Sequence, residues 1–253
     1  MKIIVNADDL GYSAKINDRI IDLVSRGQIT SASLLANAPA VEDAVRRLSK
    51  GMKCSLGVHL NLTEFEPLTP PRERIGLTEC LSPLGTFLGE ESLRNTSMTT
   101  MFREACLREW SLQVEKLLAL GANIGHFDSH NHIHTIPQLF PILKRLQKRF
   151  GIRKVRTTWN IYDARSEPAL SVVVKKRAWQ LALRHYFRTT TTDGFASLAV
   201  FLKRAKEDNL SFDSIEVEVH PGHATYEYET SLLESNWTET IPYTVHLISY
   251  DEL

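Results

Sequence analysis

Four short polar clusters carry the residue types of a hydrolytic metal site. Asp8-Asp9 follows an apolar run, and His59 sits in an alternating segment. Asp128-Ser129-His130-Asn131-His132-Ile133-His134 gathers three histidines behind a carboxylate, and His220-Pro221-Gly222-His223 closes another β-rich run. Imidazole and carboxylate together suit zinc and its first-row neighbours. A catalytic ion keeps three protein ligands and an open position for water, whose pKa it lowers toward about 7. Paired aspartates permit a division of labour, one binding the ion while the other takes a proton from the water. Along a strand the two would point to opposite faces, but at a strand end the turn can bring both toward one site.

Each cluster also has a plainer explanation. Asp-Asp-Leu-Gly after a strand suits turn and helix-cap chemistry. His59 alone fits a satisfied core histidine, and His220-Pro-Gly fits turn punctuation. The histidine run is harder to dismiss. If extended, Asp128, His130, His132 and His134 share a face; in a helix, His130 and His134 become neighbours. At least one of the three is expected to orient a ligand rather than to be one.

Elements that could position these clusters follow from periodicity. Lys2–Asn6 reads as a first strand, and Ala14–Gly27 as a helix with Ile16, Ile20, Ile21, Leu23 and Val24 at helical spacing. Strand Ser31–Ala36, helix Val41–Leu48 and the alternating strand Ser55–Leu62 come next. The stretch Thr63–Ser97 breaks the rhythm with Pro67, Pro70, Pro71, Pro83, Gly76, Gly85 and Gly89. It reads as an insertion at about 63–97, either a wall over the substrate or a passive surface loop. Helix Met101–Leu120, strand Ile124–Asp128, helix Pro141–Phe150 and strand Lys154–Thr157 follow. After them come the basic helix Leu170–Phe187, a short strand Thr190–Asp193, helix Leu198–Lys206 and strand Ser214–His220. Helix Glu229–Glu239 and strand Thr244–Ser249 end the pattern. Such alternation predicts one α/β domain over residues 1–253, a (β/α) barrel of seven or eight parallel strands, complete or incomplete. In a parallel barrel the C-terminal strand ends gather at one mouth, where all four clusters fall.

Totals narrow the function. The 253 residues are 43% hydrophobic, enough for a full core, and 30 Lys and Arg balance 30 Asp and Glu. Zero net charge argues against nucleic acid as a partner. Cys54, Cys80 and Cys106 are widely spaced and form no CxxC, which argues against disulfides or a thiolate zinc site and fits a reducing cytoplasm. No apolar run of about 18 residues occurs, so no integral membrane segment is expected. The apolar start is too short for a signal peptide, and the closing Tyr250-Asp251-Glu252-Leu253 is read as a chance likeness to a retention signal.

Taken in order, Asn6-Ala7-Asp8-Asp9-Leu10-Gly11, Gly57-Val58-His59-Leu60-Asn61-Leu62-Thr63, Asp128 to His134 and His220-Pro221-Gly222 resemble the YdjC-like carbohydrate deacetylases, which include chitooligosaccharide deacetylase. The likeness runs to Leu247-Ile248-Ser249-Tyr250 and so spans nearly the whole chain. It implies a barrel related to that of polysaccharide deacetylases and removal of acetyl groups from N-acetylated sugars. It also implies one divalent ion, Mg2+ or Zn2+, held by Asp9, His59 and His130. By the same likeness Asp8 is the base and His220 the acid that protonates the leaving amine. Asn61, Asp128, His132, His134, Arg156 and Glu216 are expected to touch substrate or to support these groups. Arg156 could hold Asp8 or Glu216 ionised, against the default of a solvated surface arginine. Two features depart from the family pattern. Glu218 stands where an apolar residue is expected, and Arg156 is followed by Thr157-Thr158-Trp159 without a proline. Both bear on the substrate more than on the chemistry.

Rival readings differ in testable ways. Other metal-dependent barrel phosphoesterases and amidohydrolases carry HxH directly after the first strand, where this chain has Asp-Asp. A non-catalytic sugar-binding protein would be expected to lose the base or the acid, and both are present. The same chemistry on a lipid-linked N-acetyl sugar would use the basic helix, with Lys175, Lys176, Arg177 and Arg184, against an anionic surface. The partner is expected to be a small-molecule or oligosaccharide substrate, and the resemblance leaves room for a homo-oligomer.

Overall fold

The computed structural model describes residues 1–48, 51–163, 168–186, 188–207 and 210–253. Strand and helix alternate as β1 (Lys2–Leu10), α1 (Ala14–Ser25), β2 (Ser31–Leu34), α2 (Val41–Leu48) and β3 (Ser55–Leu60). After the Pro- and Gly-rich segment come α3 (Glu90–Asn95), α4 (Thr100–Ala119), β4 (Ile124–Ser129), α5 (Phe140–Phe150) and β5 (Lys154–Val155). The rest is α6 (Leu170–Leu181), β6 (Gly194–Ser197), α7 (Leu198–Glu207), β7 (Ser214–Val219), α8 (Glu227–Glu234) and β8 (His246–Leu247). Local chemistry sets these limits. Ser13 caps α1 by accepting from the Ile16 N–H, and Ile16, Ile20, Leu23 and Val24 form its buried stripe. Among the described residues no helix is long and apolar enough to cross a membrane.

Seven strands lie in the order β5-β4-β3-β2-β1-β7-β6, all parallel, and β8 adds two residues beside the start of β1. The sheet curls into an incomplete (β/α) barrel. Among the described residues the backbones of its edges meet through the isolated bridges Lys154↔Thr190 and Asn160↔Phe195. Ile3, Val5, Val58, Leu60, Val217 and Val219 pack outward into the same apolar core as the helices.

The inward face is polar. Asn6 donates to Ser33 at 2.9 Å, Ser33 donates to Asp128 at 2.6 Å, and Arg156 reaches Glu216 at 2.9 Å. Barrel interiors are ordinarily filled by branched aliphatic side chains. Here a hydrogen-bonded network replaces them, which is why β3 and β7 alternate in sequence although both faces are buried. Parallel register aligns Gly57 with His126 and His59 with Asp128. Gly57 is needed because a Cβ there would overlap the His126 ring. The buried Tyr250 stacks on that ring, 3.7 Å between centroids.

Several expected limits move. The first strand does not stop at Asn6 but carries Asp8 and Asp9 to Leu10. The strand expected at Thr190–Asp193 lies instead at Gly194–Ser197, because Asp193 spends its carboxylate on Ser214 (2.9 Å to the N–H) and Arg184 (2.5 Å). The basic helix ends at Leu181 and passes into a π turn at Ala182–Tyr186; Phe187 lies outside the described residues. Helix Glu229–Glu239 splits at the extended Ser235 into α8 and a one-turn 3-10 helix, Trp237–Thr240. The 63–97 stretch is well docked. Glu109 of α4 accepts from the Leu68 and Thr69 N–H groups and the Thr69 hydroxyl, while Leu77, Cys80, Phe87 and Leu93 are buried.

Candidate metal centre and active site

Asp9 has φ 64, and the pairing of β1 with β2 slips between Ala7 and Leu10. One left-handed residue undoes the strand's alternation, so consecutive aspartates both reach the mouth. The His130–Thr135 turn holds left-handed Asn131 (φ 52) and His132 (φ 51), so its histidines share neither an extended face nor a helical one. His130 faces Asp9. His132 Nε2 stands 3.6 Å from Glu218, and His134 turns back to Ser129 at 2.6 Å. The mouth is a cavity of about 490 Å³ lined by Asp8, Asp9, His59, His130, Arg156 and His220, among others.

Asp9, His59 and His130 each offer one donor atom, all within 4.8 Å of one another. Asp9 Oδ1 lies 2.9 Å from His130 Nδ1 and 3.5 Å from His59 Nε2. Two donors bound at about 2.0–2.1 Å to one ion stand roughly 2.9–3.4 Å apart for octahedral to tetrahedral angles. The Asp9–His130 separation falls in that range and the Asp9–His59 separation just beyond it, and the nitrogen and oxygen donors suit a divalent ion. His223 Nε2 stands 3.1 Å from the other Asp9 oxygen. On the far side of His59, Nδ1 meets Asp128 at 2.9 Å, which turns Nε2 toward Asp9. Burial pulls the His130 pKa down, but hydrogen bonds to Asp9 and Glu64 outweigh it and raise it to about 10. The imidazolium thus sets a positive charge beside Asp9.

Asp8 has a different environment. Arg156 donates to both its oxygens, at 2.6 and 2.7 Å, and Asn6 adds a third bond at 2.8 Å. Burial pushes its pKa up, yet Arg156 holds it below the ordinary carboxylate value. Arg156 is 1% exposed rather than solvated, and it also meets Asp128 at 2.8 Å and Glu218 at 3.5 Å. Burial raises Glu216 to about 7 and, with Asp8 nearby, Glu218 to about 8. The guanidinium therefore serves chiefly Asp8 and Asp128. His220 Nε2 lies 4.0 Å from Asp8 Oδ2. Burial lowers its pKa, but the Glu229 carboxylate and Asp8 raise it to about 9, so it carries a proton at neutral pH. Tyr226 stacks on the ring at 4.4 Å between centroids.

The expected supporting residues divide. His132, His134 and Arg156 line the cavity. Asp128 and Glu216 stay behind it in the barrel, the latter accepting from the Tyr250 hydroxyl. Asn61 organises the turn after β3: its side-chain oxygen accepts from the Thr63 and Glu64 N–H groups. Sequence reasoning passed over Glu64, Glu229, Tyr12, Tyr226 and, as a site residue, His223. Glu64 directly follows the His59-to-Thr63 motif and His223 closes His-Pro-Gly-His, so adjacency was the available signal. Glu229 offered none. Glu64, Glu90 and Arg94 bring the 63–97 segment into the cavity wall, and Lys176 of α6 also lines it.

Comparison with known proteins places this geometry. A family model described as YdjC-like protein matches residues 2–244. A protein named carbohydrate deacetylase from Halalkalibacterium halodurans is 36% identical over 166 residues, 62% of this chain and 64% of that relative. One of the same name from Clostridium beijerinckii is 30% identical over 233 residues, 88% of this chain and 82% of that relative. The match to the first thus spans somewhat less than two thirds of that relative's length. Among solved structures, an Enterococcus faecalis protein named for cellobiose-phosphate cleavage superposes with a TM-score of 0.76 at 20% identity, covering 99% of this chain and 98% of its own. A lactam utilization protein from Thermus thermophilus gives 0.51 at 12% identity, covering 98% and 100%. Both share the fold.

Proposed function

The chain belongs to the YdjC-like family, and on that premise we propose that it is a carbohydrate deacetylase. The substrate is an N-acetylated sugar, chitooligosaccharide-like or a related N-acetylglucosamine derivative, and the cofactor is one divalent ion, Mg2+ or Zn2+. The names of the relatives support the activity. The observation that carries the reading is the separation of roles at one mouth: donors of Asp9, His59 and His130 within 4.8 Å, with Asp8 and His220 beside them 4.0 Å apart.

When bound by Asp9, His59 and His130, the ion supplies Lewis acidity to the attacking water and the acetyl carbonyl. Asp8, held ionised by Arg156, accepts the water's proton. The attack makes a tetrahedral centre whose collapse requires the amine to leave with a proton, since an unprotonated amine leaves poorly. His220 supplies that proton.

Acetate release from N-acetylated sugar oligomers by metal-loaded protein tests the reading. Asp8→Asn is expected to lower kcat by about 10²–10⁴-fold while leaving ion affinity intact. Full activity in Asp8→Asn would remove the base assignment, and unchanged ion binding in His130→Ala would remove the ligand set.

A further inference from the structure

Glu64 has a place that the hydrolytic reading leaves unused. Its Oε2 accepts from His130 Nε2 at 2.9 Å, and its Oε1 accepts from the Tyr12 hydroxyl at 2.6 Å. The backbone that aims it is held at several points. Asn61 binds the Glu64 N–H at 3.1 Å, and the side-chain amides of Asn61 and Asn37 both donate to its carbonyl, at 2.7 and 3.0 Å. The next residue, Phe65, takes φ 63, a conformation costly for an aromatic side chain and kept only where the surroundings fix it. Phe65 in turn packs edge-on against Tyr12, 5.0 Å between centroids. The turn, the strained residue and the tyrosine all converge on one carboxylate position.

Both candidate ligand histidines then share one arrangement: a carboxylate on the ring nitrogen that faces away from Asp9. Asp128 plays that part for His59, from inside the barrel. Glu64 plays it for His130, from the segment outside. A carboxylate that accepts the proton of one ring nitrogen leaves the other as the lone-pair donor and fixes the ring plane.

We propose that Glu64 is a positioning residue that commits His130 to bind the ion through Nδ1, with Tyr12 holding Glu64 in place. The proposal rests on the metal reading above and assigns to the 63–97 segment a share of the ion site.

Titration calorimetry of the metal-free protein with Zn2+ tests it without any substrate. Glu64→Ala is expected to weaken Zn2+ binding by about 10–100-fold, and Glu64→Gln, which keeps an acceptor oxygen, to recover part of the loss. The double variant Glu64→Ala/His130→Ala should bind no more weakly than His130→Ala alone. Thermal melts of the metal-free variants that match the parent separate this from misfolding. Unchanged affinity in Glu64→Ala, with His130→Ala weakened, overturns the proposal and leaves the ligand set standing. Unchanged affinity in His130→Ala overturns both. Additive losses in the double variant also overturn it, since Glu64 would then act apart from His130.

Discussion

Asp8 and Asp9 are chemically identical neighbours with opposite surroundings. Arg156 occupies both oxygens of Asp8, whereas Asp9 meets the imidazoles of His130, His59 and His223. A guanidinium does not give up its proton, so Asp8 stays ionised, as the base role proposed above requires. Imidazoles can exchange theirs for an ion. With His130 raised to about 10 in the metal-free protein, an ion must displace that proton. Binding near pH 7.5 is therefore expected to release about one proton per ion, read from calorimetry in buffers of different ionisation enthalpy; no buffer dependence would contradict it. His220 gives a second test. Its acid form persists to about 9 because Glu229 and Asp8 outweigh burial, so the alkaline limb of kcat should fall near there. Glu229→Gln removes the larger support, and the limb should move to lower pH. A limb that stays in place would detach Glu229 from the acid. Of these residues, the clusters stood out in sequence because their types are unusual at strand ends. Glu229 did not, because its partner lies across a turn and depends on how α8 packs.

At the scale of elements, the site depends on register. β3 and β4 pair so that Gly57 meets His126 and His59 meets Asp128, and the second pair orients a candidate ligand. Gly57→Ala drives a methyl into the His126 ring and is expected to cost about 1–3 kcal/mol, measured by denaturant unfolding. Adding His126→Ala should return part of that stability by making room, and an undiminished loss in the double variant would assign the strain elsewhere. Alternation in Ser55–Leu62 revealed the strand and the side on which His59 lies, because two faces of different polarity leave a period of two. The same rule misjudged the first strand: it treated Asp8 and Asp9 as lying beyond it, whereas the left-handed Asp9 lets the strand continue. Backbone conformation at one non-glycine residue leaves no mark in hydrophobic pattern. The Asn131-His132 kink hid the fates of the three histidines for the same reason. Thr190–Asp193 has strand-like composition, but the paired strand begins at Gly194, beyond the bonds that Asp193 makes to Ser214 and Arg184.

For the whole molecule, the unusual choice is a barrel filled with ionisable groups. Arg156 sits among Asp8, Asp128, Glu216 and Glu218, one buried cation among four carboxyls. Such an interior is stable only if some carboxyls keep their protons. Glu216 and Glu218 do so, to about 7 and about 8, against an ordinary value of 4.5. An unfolded chain releases these protons near 4.5, the folded one some units higher. Between those values the folded state binds more protons, so this contribution is full below about 4.5 and is lost as pH rises through about 7 to 8. Arg156, His132, Asp8, Glu216 and His220 all face Glu218, and its neutral isostere removes its share of the loss. Glu218→Gln in the metal-free protein should therefore gain melting temperature over the parent at pH 8 and gain little or nothing at pH 5. For a chain of this length each kcal/mol corresponds to about 2–4 °C. An equal difference at both pH values would mean that Glu218 is already ionised in the folded barrel.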